Sequence, residues 1–255
     1  MYEDLRGKIA VVTGGARGLG YQMATALAAH GVEIALVDLL PEVSDSAARL
    51  AQAKSVRTVG IAADVTDPTS IGGAITAIAG ALGTPSILVN AAGITAWGDS
   101  VDVTAESWRK VIDVNLNGTF FSCQAFARTV FAAGGQGAIV NVSSMSAFVV
   151  NIPQRQVSYN ASKAAVDQIT KSLAVEWITK GIRVNAVAPG YFLSDMTKQF
   201  LDSNEDLGKY WNSLIPAGRM GQPADLDGLV TFLSSDVSQY IVGESIVIDG
   251  GYSIV

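Results

Sequence analysis

Short runs of β-branched and aliphatic residues recur along this chain, and the stretches between them carry helical periodicity. The runs are Lys8 to Thr13, Glu33 to Asp38, Thr58 to Ala63, Ser86 to Asn90, Gly137 to Val142, Arg183 to Ala188 and Ser245 to Asp249. Several are apolar on both faces, as strands buried inside a parallel sheet must be. Strands alternating with helices predict βαβ units, because parallel neighbours need a crossover and a helix supplies it. The 255 residues, 49% hydrophobic and 16% charged, fit one large α/β domain spanning residues 1–255 better than two small ones. No repeat, low-complexity tract or linker marks a boundary.

Two helical stretches, near Ala105 to Ala133 and Tyr159 to Thr179, are apolar over a broad arc. The first carries Phe120, Phe121, Phe126 and Phe131, the second Ala165, Val166, Ile169, Leu173 and Trp177. Packing on the chain's own sheet accounts for part of each arc; a subunit interface is the other explanation of the width.

The charge balance narrows the partners. Net charge is −6, and Lys and Arg are scattered singly, so the sequence offers no basic stripe for nucleic acid or an anionic membrane. Cys123 and His30 are each the single residue of their type, which excludes an internal disulfide and a zinc site built of His and Cys. The apolar run from Ile9 to Val12 is too short for a signal or a membrane span. A reduced, metal-independent protein of the cytoplasm is the expectation.

The first run leads straight into Thr13-Gly14-Gly15-Ala16-Arg17-Gly18-Leu19-Gly20 and then an amphipathic helix with Met23, Leu27 and Ala28. Glycines in such a turn let main-chain N–H groups approach a pyrophosphate at the positive helix end. The spacing Gly-x-x-x-Gly-x-Gly has one residue more in its first interval than the general dinucleotide motif. Asp38 ends the second run, where a carboxylate accepts hydrogen bonds from the adenosine ribose and repels a 2′-phosphate, favouring NAD over NADP. Arg17 is a contrary hint, since a cation in the turn can pair with that phosphate, with the pyrophosphate or with solvent.

Further along, Tyr159 and Lys163 stand four residues apart and therefore share a helix face. A nearby ammonium favours the ionised phenol, and this makes Tyr159 a candidate proton-exchanging group.

With the glycine turn, Asn90-Ala91-Ala92-Gly93, Asn115, the Ser143-Ser144 pair, Tyr159-x-x-x-Lys163 and Pro189-Gly190 in this order, the chain resembles the short-chain dehydrogenase/reductase family from about Gly7 onward. Alanine at position 91 replaces the family's second asparagine, and Ser194 stands where threonine is frequent. The resemblance implies a single Rossmann-like, doubly wound domain with a seven-stranded parallel sheet flanked by helices, a nicotinamide cofactor and a homotetramer. It places catalysis on Asn115, Ser144, Tyr159 and Lys163. Tyr159 would exchange the substrate proton and Ser144 would hold the substrate oxygen against it. Lys163 would lower the tyrosine pKa and bind the nicotinamide ribose, while Asn115 would hold a water connecting the lysine to solvent. The cofactor contacts it implies are Gly14, Arg17, Gly18, Leu19, Gly20 and Asp38, then Asp64, Val65, Asn90, Ala91 and Gly93, then Tyr159, Lys163, Pro189, Gly190, Phe192 and Ser194. Asp64 has a structural alternative, a strand end leading to a helix cap at Thr66 or Asp67.

Between Ser144 and Tyr159 the stretch is rich in neutral hydrogen-bonding groups, Ser146, Asn151 and Gln154 among them. Such groups both donate and accept and suit a polyhydroxy substrate. Together with the Ser-Met-Ser run and the ending Asp249-Gly250-Gly251-Tyr252, they look like family members that oxidise sugar alcohols, such as galactitol and related polyol dehydrogenases. The substrate set is then Ser144, Ser146, Asn151, Gln154 and Tyr159, with a polyol or ketose as the partner molecule. Residues 191–220, with Phe192, Met196, Phe200, Leu201, Tyr210 and Trp211, read as a helical lid. Trp97 is a candidate for another wall, and the apolar tail Tyr252 to Val255 for burial against a neighbouring subunit. Two other readings stay in view: an NADP(H)-dependent 3-oxoacyl or other carbonyl reductase, which Asp38 and the acidic charge disfavour, and a nonenzymatic dinucleotide sensor, which the presence of Tyr159 and Lys163 disfavours.

Overall fold

The structure, a computed structural model, describes residues 2–194, 197 and 205–255. Its strands are β1 (Ile9–Thr13), β2 (Glu33–Asp38), β3 (Thr58–Ala62), β4 (Ile87–Asn90), β5 (Gly137–Val142), β6 (Ile182–Pro189) and β7 (Ser245–Ile248). All seven expected runs are strands, and no end is displaced by more than one residue. They form one parallel sheet in the order β3-β2-β1-β4-β5-β6-β7. The chain thus begins in the middle of its sheet, and the order reverses between β1 and β4. The single Rossmann-like domain implied by the resemblance is the one observed.

The helices are α1 (Gly18–Ala28), α2 (Val43–Lys54), α3 (Pro68–Ala81), α4 (Ala105–Ile112), α5 (Gly118–Ala132), α6 (Val157–Trp177), α7 (Glu205–Leu214) and α8 (Asp227–Ser234). Successive strand residues face opposite sides of a sheet, and β1 is buried at every position because it has helices on both. Ala10 and Val12 join Met23, Leu27, Leu50 and Val230 on the face of α1, α2 and α8. Ile9 and Val11 join Ile75, Phe126, Leu173 and Trp177 on the face of α3, α5 and α6.

The second of these cores absorbs much of the broad helical arcs. Phe126, Val166, Leu173 and Trp177 are buried within this chain, and Phe120, Phe121 and Phe131 pack on the same core partly exposed. Phe131 meets Trp177 edge-on with ring centroids 6.1 Å apart. The stretch expected as one helix from Ala105 to Ala133 is two, joined through a π-helical turn at Asp113–Asn117. Thr104 caps α4 by accepting from the Ser107 N–H, and Asp67 caps α3 by accepting from the Thr69 N–H, with Pro68 opening the helix.

A third, smaller apolar cluster lies over the carboxyl edge of the sheet, where Met145, Tyr191, Trp211, Ile215 and Met220 meet. It fastens α7 to the loops after β5 and β6, and a bridge between Phe192 and Gly221 closes the base of the segment. The expected lid is therefore helical over Glu205–Leu214, while Met196, Phe200 and Leu201 lie outside the described residues. The tail ends in a 3-10 turn, Tyr252–Ile254, with Ile254 83% exposed in the single chain. Among the described residues no helix is long and apolar enough to cross a membrane.

Candidate active site

Loops leaving the carboxyl ends of β1 and β4 turn to opposite faces of the sheet, and a crevice opens where they part, the usual ligand position in such a fold. A cavity of about 650 Å³ occupies it and continues towards α7. Along one end runs the glycine turn. Gly14 and Gly18 have φ of 63° and 61°, the left-handed region. A Cβ on Gly20 would lie 2.2 Å from the Gly14 carbonyl oxygen, so the turn closes only because the third residue of α1 is glycine.

Asp38 ties the second strand to this turn. One carboxylate oxygen accepts from the Ala16 N–H at 3.0 Å, the other from the Leu40 N–H at 3.1 Å. The carboxylate still lines the cavity, and each oxygen keeps acceptor capacity. Asp64 and Val65 also line it, and the Asp64 carboxylate holds both the N–H and the hydroxyl of Thr66. Arg17, Leu19, Ala91 and Gly93 take the expected places on the wall, as do Pro189, Gly190, Phe192 and Ser194 at the far side. The cradle and the remaining carboxylate lone pairs fit a dinucleotide.

Asn90 is the exception. Its side chain is buried and donates to Asn141 Oδ1 at 2.9 Å and to Cys123 Sγ at 3.2 Å, and Asn141 in turn donates to Thr170 Oγ1 at 2.9 Å. Asn90 is not among the residues that line the cavity. Its amide joins β4 to β5, α5 and α6 behind the site, and burial pushes the Cys123 thiol up to about 12.

Tyr159 sits in the first turn of α6 and Ser144 just after β5, both on the cavity wall. The Ser144 hydroxyl stands near enough to the phenol to favour its ionised form. Ser144 Oγ accepts from the Ser146 N–H at 3.1 Å, which fixes its rotamer. One turn on, Lys163 is only 5% exposed. Its ammonium donates to the Val142 carbonyl at 2.7 Å and lies 5.6 Å from the centroid of the Tyr159 ring.

The expected lowering of the phenol pKa is corrected by this geometry. Burial pushes Tyr159 above its usual 10, opposed by the Ser144 hydrogen bond. The lysine is directed at a carbonyl beside the phenol ring, and desolvation brings its own pKa down to about 8.

Asn115 occupies the π-helical turn and is fully buried. Its side chain accepts from the Ile94 N–H at 2.8 Å, and donates to the Ile94 carbonyl and to Ser162 Oγ, both at 2.9 Å. Asn115 does not line the cavity. These bonds clamp the loop after β4 to α6 at the π-helical turn. A Cβ on Gly93 would lie 3.4 Å from Asn115 Oδ1 and 3.6 Å from Lys163 Nζ, so the three are immediate neighbours.

Ser146, Asn151 and Gln154 are buried and line the cavity beyond Ser144. Ser146 Oγ donates to Asn151 Oδ1 at 2.5 Å, and Gln154 Nε2 donates to the Tyr191 hydroxyl at 2.7 Å. Gln156 was not singled out in the sequence. It reaches Ser146 Oγ at 3.3 Å and Asn160 Oδ1 at 3.0 Å, joining this polar wall to α6. Arg155 forms an ion pair with Asp99 on the surface.

Comparison with known proteins agrees with this architecture. A family model described as enoyl-(acyl carrier protein) reductase matches residues 14–253. The chain is 41% identical over 251 residues to a galactitol 2-dehydrogenase (L-tagatose-forming) of Cereibacter sphaeroides, covering 98% of this chain and 96% of the relative. It is 39% identical over 251 residues to D-threitol dehydrogenase of Mycolicibacterium smegmatis, covering 98% and 94%. A solved structure of a short-chain type dehydrogenase/reductase from Mycobacterium marinum superposes with a TM-score of 0.93 at 37% identity, covering 100% of this chain and 98% of the other. Relatives at 35% and 37% identity are named as NAD-dependent and NADP-dependent dehydrogenases respectively.

The buried ammonium has a stability signature. Below pH 8 the folded chain carries the desolvation cost of charged Lys163; from about 8 towards 10 the unfolded chain binds more protons, so this contribution to stability rises with pH. Lys163→Met removes the cost together with one hydrogen bond. In urea titrations the variant is expected to be the more stable protein at pH 7, with the gap closing by about 1–2 kcal/mol at pH 9.5. A pH-independent gap would contradict a desolvated charge at this position.

Proposed function

The chain belongs to the short-chain dehydrogenase/reductase family, and from that premise we propose that it is an oxidoreductase interconverting a sugar alcohol and its ketose with NAD. The observation that carries this is the continuity of one cavity. It runs from the glycine turn and Asp38, past Ser144, Tyr159 and Lys163, into the polar wall of Ser146, Asn151 and Gln154.

When bound, a nicotinamide dinucleotide supplies the acceptor or donor of the hydride. The residues do the rest. Gly14, Gly18, Leu19 and Gly20 present the cradle for the pyrophosphate, with Arg17 beside it. Asp38 receives the adenosine ribose hydroxyls, and its charge opposes a 2′-phosphate. Ser144 and Tyr159 line the same stretch of the cavity, so a substrate oxygen arriving there meets two hydroxyls at once. Ser144 holds that oxygen, and Tyr159 exchanges its proton. The raised phenol pKa keeps Tyr159 protonated near neutrality, the form that donates to a ketone oxygen. Alcohol oxidation draws on the ionised form, which the Ser144 hydroxyl stabilises.

The polyol reading is supported by the chemistry of the wall. Ser146 and Asn151 are neutral, buried and linked by Gln156, which suits several hydroxyls better than an acyl chain. The names of the galactitol and threitol relatives point the same way. A cytoplasmic homotetramer completes the proposal, resting on the single buried Cys123 and on the partly exposed apolar arc of α5 with the exposed tail.

Tyr159→Phe is expected to lower kcat for polyol oxidation by about a thousandfold or more, since it removes the proton-exchanging group. NAD binding measured by calorimetry should stay within about twofold, and retained turnover would contradict the assignment. Asp38→Asn should raise the kcat/KM ratio of NADP to NAD by about ten- to a hundredfold, the size of one unfavourable charge pair near a protein surface. An unchanged ratio would remove Asp38 from cofactor choice.

A further inference from the structure

Past Ser146 and Asn151 the cavity is walled by aromatic rings. Trp211 of α7 stacks on Tyr191 with centroids 4.5 Å apart and planes 18° from parallel, and Trp97 meets it edge-on at 6.2 Å. The Tyr191 hydroxyl accepts from Gln154 Nε2 at 2.7 Å. The loops after β4, β5 and β6 and helix α7 therefore converge here, each contributing one ring or amide.

Three buried polar atoms at this end have no hydrogen-bond partner among the described residues: Thr95 Oγ1, Gln154 Oε1 and Trp211 Nε1. All three residues line the cavity. Trp211 is 1% exposed and Gln154 9% exposed, so solvent does not satisfy them. An unsatisfied buried group is destabilising, and native structures hold few of them. Three on one wall mark a place that a ligand completes. Their chemistry is complementary to hydroxyl groups: the indole N–H only donates, the amide oxygen only accepts, and the threonine hydroxyl does either. The stacking on Tyr191 holds the indole rigid, so its N–H needs little ordering when a ligand arrives.

We propose that Thr95, Gln154 and Trp211 form a second hydroxyl-binding subsite that takes hydroxyls of the substrate remote from the reacting carbon and so sets the preference for polyhydroxy over simple alcohols. The proposal rests on the polyol reading above and adds Thr95 and Trp211 to its determinants. A substrate lacking those hydroxyls leaves the three atoms unpaired, which is how a buried polar site rejects an analogue.

The test uses Trp211→Phe, which keeps a ring in the stack and removes the N–H, and Thr95→Val, which removes the hydroxyl at nearly constant shape. Each is compared with the wild-type enzyme on four- to six-carbon polyols and on secondary alcohols of the same chain length. Each variant is expected to lose about tenfold in kcat/KM on the polyols that the wild type prefers, with the plain alcohols changed by less than about twofold. Brisk polyol turnover with an unchanged polyol-to-alcohol ratio overturns the subsite and leaves the function standing. An equal loss on both substrate sets also overturns it, by assigning the residues to packing alone. A wild-type enzyme that oxidises plain alcohols and no polyol overturns the polyol reading and the subsite with it. Thr95→Val keeps the comparison available should Trp211→Phe fail to fold.

Discussion

The reversal of strand order between β1 and β4 determines where everything else can sit. β1 pairs with β2 on one side and with β4 on the other, so the chain leaves the two central strands towards opposite faces of the sheet. Neither loop can close over the gap. The glycine turn leads off β1, the Ala91 to Gly93 loop off β4, Ser144 off β5 and Pro189-Gly190 off β6, and all open on the same edge. The groups that would hold a dinucleotide and those that would handle a substrate proton thus share a cavity without any being brought from a distant domain.

Holding those groups in place requires polar ties inside the apolar layers. Asn90, Asn141, Cys123 and Thr170 form one chain of contacts through the middle of the sheet. Asn115 forms another, from Ile94 to Ser162. Both lie behind the cavity and carry no substrate. Buried amides with unmet donors or acceptors are costly, so each tie specifies one arrangement of loop against helix. Lys163 is the expensive member: its ammonium is buried against a single carbonyl and its pKa is depressed. Catalytic groups are often maintained against local stability in this way.

The fold was legible because its signals are local. Strand runs apolar on both faces, a glycine turn at the first crossover and a helix cap at Thr66 or Asp67 each dictate backbone geometry within a few residues. Ser144, Tyr159 and Lys163 were legible as a group because a helical repeat and an ordered set of motifs define them. Asn90 and Asn115 were legible as residues, while the engagement of their side-chain amides is revealed only by the three-dimensional contacts. The tyrosine pKa was misjudged because helix spacing gives the proximity of Lys163 and not the burial of the phenol, which raises it. Thr95 carried no signal, and the indole N–H of Trp211 could not be told from ordinary core packing, since an orphaned polar atom exists only once the neighbours are known.

The central claim is that this one cavity couples an NAD cradle to a polyhydroxy substrate. Nicotinamide absorbance, followed with purified protein, NAD and a panel of stereochemically varied four- to six-carbon polyols, tests it most directly. The account predicts NAD reduction by one stereochemical subset of the polyols. Silence with every polyol, beside activity on plain secondary alcohols or on carbonyls in the reverse direction, would contradict it.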